Sequence, residues 1–82
     1  MDVKLYALST CGWCRKARTL LEENNVEYEL IYVDLLEKDE KDKVLEEVRK
    51  WNPRTSFPTL VVNNSESVAG FKEERMRELL GL

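Results

Sequence analysis

The sequence predicts a small α/β domain in which a mixed four-stranded sheet carries three helices, in the order β-α-β-α-β-β-α. Stretches of strand character alternate with stretches in which apolar residues recur every three or four positions. The chain has 82 residues, of which 43% are hydrophobic and 35% charged. This composition suits one globular domain over residues 1–82 and argues against disorder. We find no internal repeat.

The first three elements are expected to form a β-α-β unit. Residues 3–8, VKLYAL, alternate as in a short strand. The helix that follows has an apolar stripe that includes Trp13 and Cys14, and Asn24 and Asn25 are expected to terminate it. Residues 27–35, EYELIYVDL, are rich in β-branched and aromatic side chains and predict the second strand. Because a helix connects them, the two strands should be parallel.

The second half of the chain predicts a helix, two strands and a final helix. The charged segment from Glu37 onward has a helical apolar stripe that stops before Pro53. Residues 59–62, TLVV, predict a buried strand, and residues 66–70, ESVAG, return as a short antiparallel strand after an Asn-Asn turn. Residues 72–82 predict the last helix. The residues expected to face inward from the two helices are Val44, Leu45, Val48, Trp51, Met76, Leu79 and Leu80.

Composition and charge exclude several classes of function. A net charge of −3 disfavours a nucleic-acid-binding surface, which needs clustered Lys and Arg. No stretch approaches the ~20 apolar residues of a membrane span, and the first residues do not look like a targeting signal. We therefore expect a cytoplasmic monomer without a nucleic-acid or membrane partner. In that compartment two cysteines are expected to be catalytic or metal-binding, because ordinary thiols there stay reduced.

Both cysteines lie in the stretch STCGWCRKA, at the expected junction of the first strand and the first helix. Only a thiolate attacks a disulfide, and a free thiol with a pKa of ~8.5 is mostly protonated at neutral pH. Cys11 is expected where the helix begins, so unpaired N–H groups and the helix dipole favour its anion. Cys14 lies three residues further on the apolar stripe, more buried and within reach of a disulfide. The spacing therefore predicts Cys11 as nucleophile and Cys14 as resolving thiol.

The sequence defines the roles of the residues around the cysteines less closely. Gly12 would allow close approach of a partner, and Trp13 would either shield the site from water or simply pack beside the helix start. Arg15 and Lys16 would either add positive potential at Cys11 or be solvated charges on an exposed helix face.

A CxxC pair can also be half of a zinc site. The chain has two cysteines and no histidine, so four soft ligands could be gathered only between two chains. The alternative function is therefore a binding module in which a dimer shares zinc or an iron-sulfur cluster. For the single chain we predict no metal site.

The sequence resembles glutaredoxins and the glutaredoxin-like redoxins that serve ribonucleotide reductase. The motifs that carry the resemblance are CGWC after a strand, the X-Pro of SFPTLVV before the third strand and a glycine before the last helix. The resemblance covers essentially the whole chain and implies the minimal thioredoxin-like fold. It also implies a thiol-disulfide oxidoreductase that acts as an electron carrier in cell redox homeostasis. The implied substrates are protein or small-molecule disulfides, with ribonucleotide reductase as one suggested partner, and no cofactor is tightly bound.

The same resemblance implies a substrate-binding surface beside the cysteines. The peptide bond between Phe57 and Pro58 would be cis and would face the cysteine pair. The backbone of Phe57 could then pair with an extended substrate as a short added strand, with Gly70 as a further substrate-binding residue. Ser56, just before this bond, would either contact a bound thiol or simply be a polar residue of the loop. The side chain of Phe57 would either contact the substrate or pack in the core.

The residues before the last helix help to indicate which electron donor re-reduces the protein. Glutathione-dependent glutaredoxins usually have a Gly-Gly pair followed by an acidic or hydroxyl residue, whereas this chain has Ala69 before Gly70. The segment AGFKEE is closer to the SGF segment of the redoxins that thioredoxin reductase reduces. Glutathione and a flavoenzyme reductase both stay open as donors.

Overall fold

Seven helices and strands follow one another in the predicted order. The structure, a computed structural model, describes residues 1–82. The elements are β1 (Val3–Ala7), α1 (Gly12–Glu23), β2 (Glu29–Tyr32), α2 (Lys38–Trp51), β3 (Thr59–Val62), β4 (Glu66–Ala69) and α3 (Glu73–Leu80). The order β-α-β-α-β-β-α is therefore confirmed.

The strands form one mixed sheet in the spatial order β2-β1-β3-β4. β1 pairs parallel with β2 and antiparallel with β3, which places Leu5 opposite both Leu30 and Leu60. β3 and β4 are antiparallel neighbours. Since β1 is paired on both sides, its end is firmly placed, and the cysteine pair follows directly after it.

Two apolar clusters form the core, because successive residues of a strand point to opposite faces of the sheet. The larger cluster has 12 buried residues, and the smaller one has four, Tyr6, Val33, Val48 and Val61. The stripe of α1, with Cys14, Ala17 and Leu21, belongs to the larger cluster. Burying a large apolar side chain contributes about 1.5–3 kcal/mol, so this stripe sets the rotation of α1 and turns Cys14 inward.

The two later helices pack as predicted. Met76 and Leu80 of α3 are buried in the larger cluster, and Leu79 packs against it. Val48 of α2 is buried in the smaller cluster, and the other predicted inward residues of that helix, Val44, Leu45 and Trp51, pack against it. None of the helices combines the length and apolar character needed to cross a membrane.

The predicted second strand is too long at both ends. It was expected over residues 27–35, but β2 covers only Glu29–Tyr32 and is followed by a 3₁₀ turn, Val33–Leu35. In this turn Val33 is buried in the smaller cluster, while the Asp34 carboxylate bonds to Ser9. Strand propensity alone could not show this turn, because the contacts that stabilise it come from residues distant in sequence.

Candidate active site

Cys11 is the N-cap residue of α1, as the sequence predicts. Its backbone is extended, and its Sγ accepts a hydrogen bond from the backbone N–H of Cys14 at 3.3 Å. The sulfur thus occupies the place where a Ser or Asp oxygen usually caps a helix. The first turn of α1 contains no acidic residue, so the N–H bond and the helix dipole both favour a negative sulfur.

Cys14 lies in a very different environment. It is 1% exposed within the larger cluster, and both cysteines are free thiols. The pKa of Cys14 is raised to about 12, chiefly by burial and also by the hydrogen bond with Cys11 and the charges of Cys11 and Asp34. The backbone N–H of Leu8, which donates to the Cys14 Sγ at 3.5 Å, acts in the opposite direction. At neutral pH Cys14 is therefore a protonated thiol.

The spacing of Trp13 predicts that it lies on the buried stripe of α1, and this prediction is wrong. Its side chain is 58% exposed, stacks on Phe71 with ring centroids 6.0 Å apart, and lies 4.5 Å from the Lys16 Nζ. Neighbouring helix positions differ by about 100°, and Cys14 takes the position that faces the sheet. Gly12 is also exposed, and a Cβ at that position would meet no atom within 4 Å. Packing therefore does not require glycine there.

The loop between α2 and β3 has the expected cis peptide bond between Phe57 and Pro58. The Phe57 side chain is half-buried and packs against both core clusters. The backbone N–H and C=O of Phe57 form no backbone hydrogen bond within the chain. These two groups are therefore unpaired within the chain.

A hydrogen bond joins this loop to the segment before α3. The Gly70 N–H donates to the Pro58 C=O at 2.8 Å, and Gly70 has a φ of 81°, which favours glycine. Phe71 comes next and stacks on Trp13, so Trp13 is linked through Phe71 and Gly70 to Pro58, whose own side chain is fully buried. Ser56 is exposed, but its carbonyl and hydroxyl oxygens accept hydrogen bonds from within the chain.

Asn52 is a site-supporting residue that the sequence did not reveal. It is 3% exposed, and its Nδ2 donates to the Ser56 carbonyl at 3.0 Å, the Ser56 hydroxyl at 2.9 Å and the Thr59 hydroxyl at 3.2 Å. Its Oδ1 accepts the Arg54 N–H at 3.2 Å. The side chain thus holds the loop that presents Phe57. The only signal was an asparagine before a proline, which indicated no more than the end of α2.

Asp34 supports the other side of the site. Its carboxylate accepts the Ser9 backbone N–H at 2.9 Å and the Ser9 hydroxyl at 2.5 Å, and these bonds hold the pKa of Asp34 below its usual value. Ser9 follows Leu8, whose N–H reaches Cys14. The two hydrogen bonds between Ser9 and Asp34 therefore fix the backbone that leads from β1 to the cysteine pair.

The structure gathers no group of three or more His, Cys, Asp or Glu side chains that could hold a metal ion. Only the two thiols offer soft ligands at this site.

Comparisons with known proteins point to one family. The family model described as Glutaredoxin matches residues 3–66. A methanoredoxin from Methanosarcina acetivorans is 43% identical with a TM-score of 0.95, and the match covers 99% of this chain and 85% of that one. A glutaredoxin from Methanosarcina mazei Go1 is 45% identical with a TM-score of 0.94, and covers 100% and 82% respectively.

A curated relative gives the same result over a shorter length. Glutaredoxin 1 of Rickettsia prowazekii is 35% identical over 60 residues, which is 73% of this chain. The matched part spans 60% of that relative, so the relative is the longer protein.

Proposed function

The chain belongs to the glutaredoxin family, and on that premise we propose that it is a thiol-disulfide oxidoreductase that reduces protein or small-molecule disulfides. One observation carries the proposal. The Cys11 sulfur caps a helix and accepts an N–H, while the Cys14 sulfur is buried in the first turn of that helix. This arrangement supports one reactive and one protected thiol within reach of each other.

The reaction has two exchange steps. The Cys11 thiolate attacks one sulfur of the substrate disulfide, the substrate S–S bond breaks, and one thiolate leaves and takes a proton from water. Cys14 then loses its proton and attacks the Cys11 sulfur, and the second substrate thiolate leaves. Two electrons pass from the dithiol to the substrate, and the protein is left with a Cys11–Cys14 disulfide.

The first step prepares the second. A charge on Cys11 and its hydrogen bond to Cys14 are among the causes that raise the pKa of Cys14. Once the Cys11 sulfur is bonded to substrate, that charge is gone, while the Leu8 N–H still favours a Cys14 thiolate. Cys14 therefore becomes easier to deprotonate when its attack is required.

Phe57 provides the binding surface for a protein substrate. Its unpaired N–H and C=O support β-strand addition by an extended segment that carries the disulfide. Such recognition uses the main chain of the substrate and tolerates many sequences. Gly12, Trp13, Ser56 and Gly70 are proposed to border the bound segment.

The partners and setting follow from the family resemblance and the cysteine usage. Ribonucleotide reductase is a proposed protein substrate, and either glutathione or a flavoenzyme reductase is the proposed electron donor. The Ala69-Gly70 sequence favours the reductase. No tightly bound cofactor is needed for dithiol exchange. A reducing compartment such as the cytoplasm would keep the dithiol ready to react.

Single-turnover reduction of a disulfide tests this function. Reduced protein is mixed anaerobically with a small excess of a disulfide-linked peptide, and the released thiol is followed with time. We expect Cys11→Ser to lower the rate by at least about 10³-fold, because the nucleophile is lost. Denaturation curves of the variant check that it is folded. Thiol release by Cys11→Ser at the wild-type rate would overturn the proposal.

A further inference from the structure

The loop between α2 and β3 contains a β-branched residue with an unusual backbone conformation. Thr55 has a φ of 48°, in the left-handed region that favours glycine. Such residues persist only where the surrounding contacts over-determine the backbone, and they are concentrated where a protein positions a functional group. The hydrogen bonds that hold this loop therefore indicate which group it positions.

Asn52 forms most of these hydrogen bonds. Its backbone N–H donates to a carbonyl in the last turn of α2 at 2.7 Å, and its backbone C=O accepts the Thr55 N–H at 2.8 Å. Its Oδ1 accepts the Arg54 N–H, and its Nδ2 donates to oxygens of Ser56 and Thr59. Every polar atom of Asn52 is thus bonded to the loop or to the helix before it.

The Ser56 carbonyl is the most restrained group that the loop presents to Asn52. It accepts the Asn52 Nδ2 at 3.0 Å and the Thr59 hydroxyl at 2.8 Å. Both donors belong to buried residues, which are 3% and 0% exposed. A carbonyl oxygen has two lone pairs, so both are used here and the oxygen points into the protein.

The direction of the Ser56 carbonyl sets the direction of the Phe57 N–H. Both groups belong to one planar peptide unit, and in a trans unit the C=O and the N–H point in opposite directions. The bond between Ser56 and Phe57 is trans, since the cis bond of the chain is the next one. Because the Ser56 oxygen points toward Asn52, the Phe57 N–H points away from it, where it has no backbone partner.

We propose that Asn52 is a positioning residue for polypeptide substrates, because it turns the Phe57 N–H outward to meet a main-chain carbonyl beside the substrate disulfide. The inference rests on the proposed function and adds a specificity to it. Disulfides within an extended polypeptide gain from Asn52, whereas small disulfides without a peptide carbonyl do not. The exchange steps and their electron balance are those given above, since Asn52 acts only through Phe57.

Two chromogenic substrates with the same leaving group test this role. One is an extended peptide whose central cysteine is joined to thionitrobenzoate, and the other is mercaptoethanol joined to thionitrobenzoate, which has no peptide main chain. Cys11 displaces thionitrobenzoate from both, so the ratio of the two rate constants does not depend on how much Cys11 thiolate is present. We expect the peptide-to-mercaptoethanol ratio to be about tenfold higher for the wild type than for a free small thiol.

Asn52→Asp keeps the size of the side chain but replaces the Nδ2 donor with a carboxylate oxygen. This oxygen repels the Ser56 carbonyl and attracts the Phe57 N–H, so the peptide unit between them should turn over. The rate ratio should then fall about tenfold to that of the free thiol, because one hydrogen bond to the peptide is lost. The rate constant for the mercaptoethanol substrate should change by less than about twofold, because that substrate has no carbonyl to lose.

Two further variants separate positioning from stability. Asn52→Ala removes the same donor without adding a buried charge, so it keeps the test valid if Asn52→Asp does not fold. Its ratio should fall about threefold, because the Thr59 hydroxyl still donates to the Ser56 carbonyl. Val62→Ala creates a cavity at the end of β3 away from the loop, and should lower stability but keep the ratio. An unchanged ratio in the Asn52 variants, or an equal fall in Val62→Ala, would overturn the inference.

Exchange of the Phe57 amide hydrogen with water separates this inference from the proposed function, because it needs no reaction at sulfur. Measured by NMR on isotope-labelled protein, the exchange should be as fast in the wild type as in an unfolded peptide. In Asn52→Asp it should be at least about tenfold slower, because the N–H turns toward the carboxylate. A protected Phe57 N–H in the wild type would refute the positioning even if both substrates react. Release of thionitrobenzoate from neither substrate, with the expected exchange rates, would refute the function and leave the orientation of Phe57 by Asn52 intact.

Discussion

The cap position of α1 and the first turn inside it hold the same side chain in opposite surroundings. The Cys11 sulfur is partly accessible and accepts a helix N–H, whereas the Cys14 sulfur is 1% exposed in the larger cluster. The difference arises because burial of Ala17 and Leu21 fixes the rotation of α1. Two identical thiols thereby acquire different tasks through their position on one helix.

The strongest test of this contrast removes the protected thiol. In Cys14→Ser the first exchange should proceed, but the mixed disulfide on Cys11 should persist because nothing displaces it. We expect one substrate thiol to be released per protein, whereas the wild type releases two. Mass spectrometry of the acid-quenched protein, with thiol counting, measures both. Release of two thiols by Cys14→Ser would show that Cys14 is not the resolving residue.

The raised pKa of Cys14 predicts an effect of pH on stability. A thiol whose folded-state pKa is raised stabilises the protein fully below its ordinary pKa of 9.0, and this contribution is lost as the pH rises toward about 12. The extra slope of the unfolding free energy should not exceed that of one proton, about 1.4 kcal/mol per pH unit.

Urea unfolding of the wild type and of Cys14→Ala across this range isolates the effect. The pKa of Tyr6, which burial and Glu47 also raise to about 12, contributes equally to both proteins and cancels. We expect the wild type to lose stability more steeply than the variant. Parallel curves would mean that Cys14 is not held as a neutral thiol.

The smallest expected effect concerns Asp34. Its charge is a minor cause of the raised pKa of Cys14, so Asp34→Asn should lower that pKa and speed alkylation of Cys14 at alkaline pH by about two- to threefold. Asparagine can still accept the Ser9 N–H. Ser9→Ala is the control, because it removes the hydroxyl contact but keeps the charge. An unchanged alkylation rate of Cys14 in Asp34→Asn would show that the Asp34 charge does not raise the pKa of Cys14.

Local patterns in the sequence predicted the arrangement of the cysteines well. The junction of a strand with a helical stripe placed Cys11 at the helix start and Cys14 on the buried side. Both inferences depend only on helical and strand periodicity, which is a property of neighbouring residues. The same periodicity wrongly placed Trp13 on the buried side of α1. On the first turn of this helix Cys14 occupies the position that faces the sheet.

The supporting contacts of the site could not be predicted in the same way. Asp34 reaches Ser9 across 25 residues, and Arg18 reaches Tyr32 across 14. Such pairs depend on the register of β1 with β2 and on the position of α1 over the sheet. Asn52 lies closer in sequence to its partners, but its role depends on the loop conformation that it stabilises. These contacts become visible only when the chain is folded.

The rate at which a neutral alkylating reagent modifies each sulfur at neutral pH tests the central contrast most directly. No Lys or Arg separates the cysteines, so fragmentation of the single tryptic peptide locates the label. We predict that iodoacetamide modifies Cys11 at least about 100-fold faster than Cys14, because the Cys11 sulfur is partly accessible and caps the helix, whereas Cys14 is buried and its pKa is raised. Modification of Cys14 at an equal or higher rate would contradict the account.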